Sequence, residues 1–317
     1  MSPEVQDIRD VFLSSINFSA CRIELSNTPI VLLCGGKVRT KDHPDDPTPP
    51  FGSLRDAITR SLTTFEVFRP EEITSWHSDG VFKDLMSFER ELASICSLVV
   101  IVLESEGALV ELGAFSQLTE LSEKIIAVCP SAHRTKTSFI NFGILRYISA
   151  KKTSSVRSYP WETNNPESIT DEVISDAIFD ITEELSTLSK TQVLKTSQNS
   201  HLMTIICELV KMFIALREGE IFDYLTVIGF STTKDELRGK LFLLKEFRLI
   251  KLQNYSDAEF YMRTEETYHK LRITLKDKNE KFDSLRIEVQ CLDFYKNTPK
   301  HRNRSRAIGL AENVGAR

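Results

Sequence analysis

Through the first part of the chain, short unbroken apolar runs alternate with longer stretches in which apolar residues return every three or four positions. PIVLLCGG (29–36), FEVFR (65–69), LVVIVL (98–103) and KIIAVC (124–129) are compact runs rich in β-branched residues and predict strands. Residues 53–63, with Ser53 as cap, predict a helix, as do 83–96, 108–121 and 169–188. Residues 139–148 predict a short helix, and 154–159 one more strand. Strands that are apolar throughout, alternating with helices, predict an α/β domain with a Rossmann-like parallel sheet covered on both faces. The Pro-rich stretch KVRTKDHPDDPTPP (37–50) has no apolar pattern and predicts a surface loop after the first strand.

From residue 189 the pattern changes. SKTQVLKTSQNS (189–200) is rich in Ser and Thr and predicts a linker. Residues 201–217, 220–230 and 231–253 carry apolar positions at helical spacing, the third with Leu237, Leu241, Leu244 and Phe247 behind a Ser/Thr cap signal. Residues 249–264 predict a hairpin turning at 254–257, and 266–296 one or two further helices. Three helices and a hairpin predict a winged helix. The expected domains are therefore 1–190 (α/β), 200–296 (winged helix with following helices) and 297–317 (a basic, flexible tail).

With 317 residues, the chain is long enough for two cores of ordinary size. Its composition, 41% hydrophobic and 27% charged, is that of a globular protein. No apolar run approaches the ~20 residues that span a bilayer. MSPEVQDIRDVFLSS lacks the basic and apolar segments of a signal peptide, so a cytoplasmic protein without a membrane association is expected. Six scattered cysteines form no CxxC pair and the histidines no HxxxH spacing, which predicts reduced thiols and no metal site. The formal charge of −5 is uneven: residues 191–317 hold 22 Lys+Arg against 17 Asp+Glu. The remainder is acidic, so a polyanion would be met by the second part.

The chemistry concentrates at the predicted strand ends, where parallel sheets bind ligands. CGG places Cys34, Gly35 and Gly36 in a turn whose amides can hold phosphate or ribose oxygens. In LESEGALVELGAFSQ, Glu104 and Ser105 lie in the loop after the apolar strand. Glu111 follows in the first turn or so of the next helix, and Gly113 leaves room beside it. A carboxylate there can attack an anomeric carbon or stabilise an oxocarbenium-like centre; equally, it can be a solvated, dipole-favoured helix residue. In SFINFG, Asn141 can contact a sugar hydroxyl or terminate a helix. Glu89, on an otherwise apolar helix face, is expected in an ion pair with Arg90 or Arg55. Of the basic residues, Lys240, Lys245, Arg302, Arg304 and Arg306 are candidates for contact with nucleic acid or a partner. The mixed charge of 234–251 is modest for reading duplex DNA.

Strand-CGG, then ELGAF after a carboxylate, then SFINFG together resemble the nucleoside deoxyribosyltransferase-like domain of retron effector proteins, densely over 29–148. The resemblance extends to the following winged helix. It implies a toxic effector of an anti-phage system that cleaves an N-glycosidic bond, with NAD or a related nucleotide as substrate and no cofactor. It also implies assembly with a reverse transcriptase and its multicopy single-stranded DNA, a branched RNA–DNA hybrid, in a higher-order complex. By position, Glu111 matches the catalytic glutamate, Cys34, Gly35 and Gly36 the nucleotide-facing turn, Glu104 and Ser105 the base- and sugar-contacting loop, and Asn141 a sugar-contacting asparagine. The aspartate and threonine of the family's D-x-G-T-x-x-E-x-G loop are missing, and Ser97 stands where an acid precedes the strand. These departures point away from deoxyribosyl transfer. The alternatives are a nucleotide sensor that does not cleave, and a winged-helix transcription regulator.

Overall fold

The computed structural model describes residues 6–39, 51–75, 80–266 and 268–315, with side chains to residue 311. Most of the loop expected at 37–50 therefore lies outside the described residues. The chain divides into two units: 27–188, and a second built from 1–26 together with 189–317. The first elements, α1 (Ile8–Ser15) and β1 (Arg22–Glu24), thus belong to the second unit, where the sequence predicted one domain over 1–190. Neither carries a signal for its partner, because the strands that pair with β1 come from the far end of the chain.

The first unit runs β2 (Ile30–Cys34), α2 (Leu54–Arg60), β3 (Glu66–Phe68), α3 (Leu85–Ile95), β4 (Leu98–Val102) and α4 (Glu106–Ser116). It continues through β5 (Ile125–Pro130), a π-helical stretch at Ile140–Leu145, α5 (Arg146–Lys151), β6 (Val156–Tyr159) and α6 (Asp171–Ser186). All five strands are parallel, in the order β3-β2-β4-β5-β6. The α/β fold with its parallel sheet is thus as the sequence predicts. Side-chain alternation along the strands gives two apolar faces. On one, Val31, Leu33, Val100, Val102, Ile126 and Val128 pack against Leu54 and Ile58 of α2 and Val173, Ala177 and Ile181 of α6. The helices start where short polar side chains accept first-turn amides: Ser53, Asp84, Ser105 and Thr170 are N-caps. The strand order reverses between β2 and β4, and in such sheets the crevice at that point, beyond the carboxyl ends, receives the ligand.

In the second unit β1 pairs antiparallel with β7 (Thr191–Val193) and, on its other side, with β11 (Lys270–Arg272). The predicted linker 189–200 therefore supplies a strand. Its three residues have too little pattern to announce themselves and gain order only from β1. Between these strands lie α7 (Asn199–Phe213), β8 (Ala215–Leu216), α8 (Glu218–Ile228), α9 (Lys234–Glu246), β9 (Ile250–Tyr255) and β10 (Ala258–Arg263). β8, β10 and β9 form an antiparallel sheet, turning at Ser256 with φ 56°. A capping box between Thr233 and Glu236 starts α9.

The unit ends in α10 (Ser284–Asn297) and α11 (Arg302–Gly315). The tail expected to be flexible over 297–317 is thus helical over most of its length. Arg304, Ala307, Ile308 and Ala311 are buried. Basic residues at Arg302, Arg304 and Arg306 masked a helix with one apolar side. The Arg304 guanidinium donates to Glu220, which also accepts from Arg9, itself held by Asp7 at 2.6 Å. One buried network thus joins the two chain ends to α8. Among the described residues no helix is long and apolar enough to cross a membrane, and no cluster of His, Cys, Asp or Glu could hold a metal ion.

Ending the chain after Asn297 removes α11 and strands Glu220 with half its cations. Burial of Ile308 alone is worth ~1.5–3 kcal/mol, so the second unit should lose about 3 kcal/mol or more. Urea denaturation followed by fluorescence measures this; an unshifted midpoint would mean that α11 contributes nothing to the unit.

Candidate active site

At the end of β2 the chain turns sharply through Gly35 and Gly36. A Cβ on Gly36 would stand 2.8 Å from Ser53 Cβ and 2.9 Å from Glu104 Cγ, so only glycine fits. Glu104, just past β4, reaches across this turn. Its carboxylate accepts the amides of Gly36 (3.1 Å), Leu54 (3.0 Å) and Arg55 (3.0 Å). Glu104 thereby ties the end of β4 to the end of β2 and to the first turn of α2. Burial raises its pKa, against the pull of those three amides and the Ser53 hydroxyl. Ser105 caps α4 and donates to the Gly35 carbonyl at 3.0 Å. Both residues are where the sequence puts them, and both are fully engaged in building the crevice.

Arg55 is buried beneath the turn. It donates to the carbonyls of Leu33 (2.8 Å) and Gly36 (3.2 Å) and grips Glu71 through both terminal nitrogens at 2.7 and 2.6 Å. Burial would raise the Glu71 carboxyl, but Arg55 more than offsets this and holds it low. Arg55 is thus a positioning cation already committed to a carboxylate.

Glu111 lies in the second turn of α4, since Ser105 starts that helix earlier than the apolar pattern suggests. It faces the end of β2, where the Cys34 thiol lies against it. Its Oε2 is buried and accepts no hydrogen bond among the described residues. Burial pushes its pKa up; Arg55 and Cys34 pull it down and Glu71 adds to the rise. Burial and then Glu111 push the thiol of Cys34 well up, so it stays protonated. Glu89 of α3 completes the group. Burial, Glu111 and Glu71 raise its carboxyl to about 7, with Arg55 opposing. The expected ion pair does not account for Glu89: the Arg55 guanidinium is bonded to Glu71, and among the described residues none joins Glu89 to Arg90. A polar residue on an apolar helix face was the signal that marked it. Two carboxyls with raised pKa values, at the topological switch point, with one oxygen unpartnered, are the arrangement expected of a reactive site.

A cavity of about 370 Å³ opens on the other flank of α4, lined by Glu104, Ser105, Leu109, His133, Lys136 and Asn141 among others. Leu109 and Glu111 are two residues apart, roughly 200° around the helix, and Glu111 is not part of this lining. Of the predicted site residues, Glu104, Ser105 and Asn141 therefore line this cavity, whereas Cys34 and Glu111 do not. The Asn141 amide donates to the carbonyls of His133 (2.6 Å) and Lys136 (2.7 Å), so it fastens the loop that walls this cavity. Gly113 is not beside Glu111. A Cβ there would meet only Ile144 Cδ1, at 3.9 Å, on the π-helical side.

The sequence matches the model of the STM3845 retron effector protein family over residues 52–252, more than half of the chain. The chain belongs to that family. Two Escherichia coli proteins are similar to this effector. One, named "Retron Ec86 putative ribosyltransferase/DNA-binding protein", is 30% identical over 130 residues, which are 40% of this chain and 39% of that protein. The other, named "Retron Ec73 putative ribosyltransferase/DNA-binding protein", is 31% identical over 81 residues, 26% of each. The alignments thus span well under two thirds of the length of these relatives.

Of the effector's candidate polyanion contacts, Lys240 and Arg304 are buried, at 2% and 3% exposure, so neither can meet a phosphate as the sequence reading supposed. Lys240 falls on the inner side of α9 among Leu237, Leu241 and Leu244, a placement that a bare charge count cannot reveal. Lys245 stands 4.0 Å from Glu246, and Arg238 pairs with Glu218 and Asp235. Arg302 and Arg306 are exposed.

The two glycines should respond oppositely. Gly36→Ala forces backbone and Glu104 apart and should cost ~1–3 kcal/mol. Gly113→Ala meets open space in a helix interior and should gain up to about 1 kcal/mol. Thermal denaturation of both variants checks this; a destabilised Gly113→Ala would put something tighter than Ile144 against α4.

Proposed function

We propose that the first unit of this retron effector cleaves the N-glycosidic bond of a nucleotide, with Glu111 as the group that meets the anomeric carbon. The supporting observation is the buried, unpartnered Oε2 of Glu111 at the switch point between β2 and β4. Its own hydrogen-bonding capacity is unspent, and burial strengthens its interaction with a developing positive charge. The names of the relatives, which include ribosyltransferase, accord with glycosyl-group chemistry. In this reading the ribosyl C1′–N bond breaks with its electron pair leaving on the base, Glu111 captures or shields C1′, and a water oxygen bonds to C1′ in the base's place, its proton passing to the Glu111 carboxylate or to solvent. NAD is the substrate we favour. Its nicotinamide is cationic while attached and leaves neutral, so no proton need be supplied. Glu89, with its carboxyl raised to about 7, can donate a proton when the departing base would otherwise be anionic.

The rest of the chain fits the same role. The element order of α7, β8, α8, α9 and the β9–β10 hairpin supports a winged helix. Family membership supports a defence effector, toxic when released, that assembles with a reverse transcriptase and its multicopy single-stranded DNA. A regulator reading duplex DNA through α9 is disfavoured, because Lys240 is buried and Arg238 and Lys245 sit beside carboxylates, which leaves Lys234 as the one exposed cation of that helix without an ion pair among the described residues.

Glu111→Gln keeps size and removes charge, so nicotinamide release from NAD by the assembled, triggered complex should fall by at least ~10²-fold, the scale set by deleting a single transition-state donor. Glu89→Gln should leave NAD cleavage nearly intact. With a nucleotide whose base leaves as an anion, the wild-type rate should fall as pH rises through about 7, and Glu89→Gln should lack that limb. Full activity in Glu111→Gln would refute the assignment; absence of base release from any nucleotide by the wild type would favour the sensor.

A further inference from the structure

Where α10 ends and α11 begins, a cavity of about 330 Å³ is lined by Lys296, Asn297, Thr298, Arg302, Ser305 and Arg306 together with Tyr295 and Pro299. Three cations surround it and, among the described residues, no carboxylate lines it. Arg9, Arg238, Arg263 and Arg304 of the same unit hold carboxylates, whereas these three converge on one cavity. Lys296, Arg302 and Arg306 form no ion pair among the described residues, and all three are exposed. A second observation is independent of charge. The Ser305 Oγ, at the wall of the cavity, is buried and has no hydrogen-bond partner among the described residues. A buried hydroxyl left unpaired costs free energy that a bound oxyanion would recover.

We infer that this corner binds the phosphate groups of a nucleic acid backbone. The ligand chemistry is an oxyanion: Ser305 donates one hydrogen bond, and Lys296, Arg302 and Arg306 neutralise charge. Arg302 and Arg306 are one helical turn apart, roughly 6 Å, so they present two cations along one line rather than a single closed cup. Nothing here holds a base. The only aromatic residue of the lining, Tyr295, is 1% exposed, and its hydroxyl donates to the Phe213 carbonyl at 2.8 Å. Without a stacking face a mononucleotide gains little beyond its phosphate, whereas a strand gains several phosphate contacts at once. The site rests on the reading of a nucleic-acid partner and is independent of any glycosidic cleavage. It moves the contact from α9, where Lys240 is buried and Arg238 is paired, to the last helix, α11.

The test uses the full chain and a fluorescently labelled 30-nucleotide single-stranded DNA, with anisotropy titrated across KCl concentrations. Arg302→Gln/Arg306→Gln should weaken binding about tenfold or more, and the slope of log K against log salt should shrink by about 1.4, from two lost contacts at ~0.7 each. Arg238→Gln should stay within about twofold. Unchanged melting temperatures establish that the variants fold, and the same titration in Glu111→Gln should match the wild type, which separates this site from the catalytic reading. Inorganic phosphate and AMP, added at matched ionic strength, should compete only in the millimolar range. No binding of the strand by the wild type, or equal affinity and slope in the double variant, would overturn the proposal. So would AMP that binds tightly to the wild type, not to the double variant, and displaces the strand, because the site would then be one for a free nucleotide.

Discussion

The carboxylate of Glu104 holds the crevice together. A single side chain after β4 satisfies the amide that follows the β2 turn and two amides that open α2. Helix N-termini expose unsatisfied donors and carry partial positive charge, so a carboxylate is the natural group to close one. Hydrogen bonds to a charged group are worth ~1.5–3 kcal/mol each, enough for one residue to fix three segments. With Gly36 pressed against Glu104 Cγ, the turn cannot relax without breaking this joint. The position of Arg55, one residue into α2, follows from it.

That position sets the electrostatics. Arg55 lies under the turn and could have formed an ion pair with Glu111 or Glu89, quenching both. Glu71 takes it instead, through two parallel hydrogen bonds of the strong bidentate kind. Glu111 and Glu89 feel the remaining field of Arg55 without a bond to it. Burial is then the largest influence on each, and both carboxyls rise. A site of this kind needs a carboxylate that is near a cation yet still has an oxygen to offer, and sequestering Arg55 achieves that.

In the second unit the buried charges follow the opposite rule and are committed to structure. Arg9 and Arg304 converge on Glu220, and both guanidiniums lie over the Tyr295 ring. Removing ions from water is expensive and is tolerated when geometry and partners are complete. That burial explains why Arg9 and Arg304 are closed to a ligand, while Lys296, Arg302 and Arg306 stay exposed where α10 meets α11.

The strands of the parallel sheet, their order of helices, the cap at Ser53, the Ser/Thr cap signal ahead of α9, the CGG turn and the place of Glu111 on the helix after β4 were all legible in the sequence. Each depends on local pattern: apolar runs, short polar caps and glycines at strand ends. What the sequence could not express was anything requiring a partner distant along the chain. β1 and β7 have three residues each; β1 becomes a strand only by pairing with β7 and β11, and β7 only by pairing with β1. The apolar side of α11 was hidden by its arginines, one of which turns inward. Lys240 and Arg302 look alike in a charge count, yet one is buried and the other exposed. Glu89 was conspicuous but could be interpreted only once Arg55 was seen bonded to Glu71. Composition and periodicity determine which elements form, because those depend on the residues' own preferences. Which carboxylate is left unpartnered and which cation is free depends on three-dimensional proximity, and tertiary structure alone decides it.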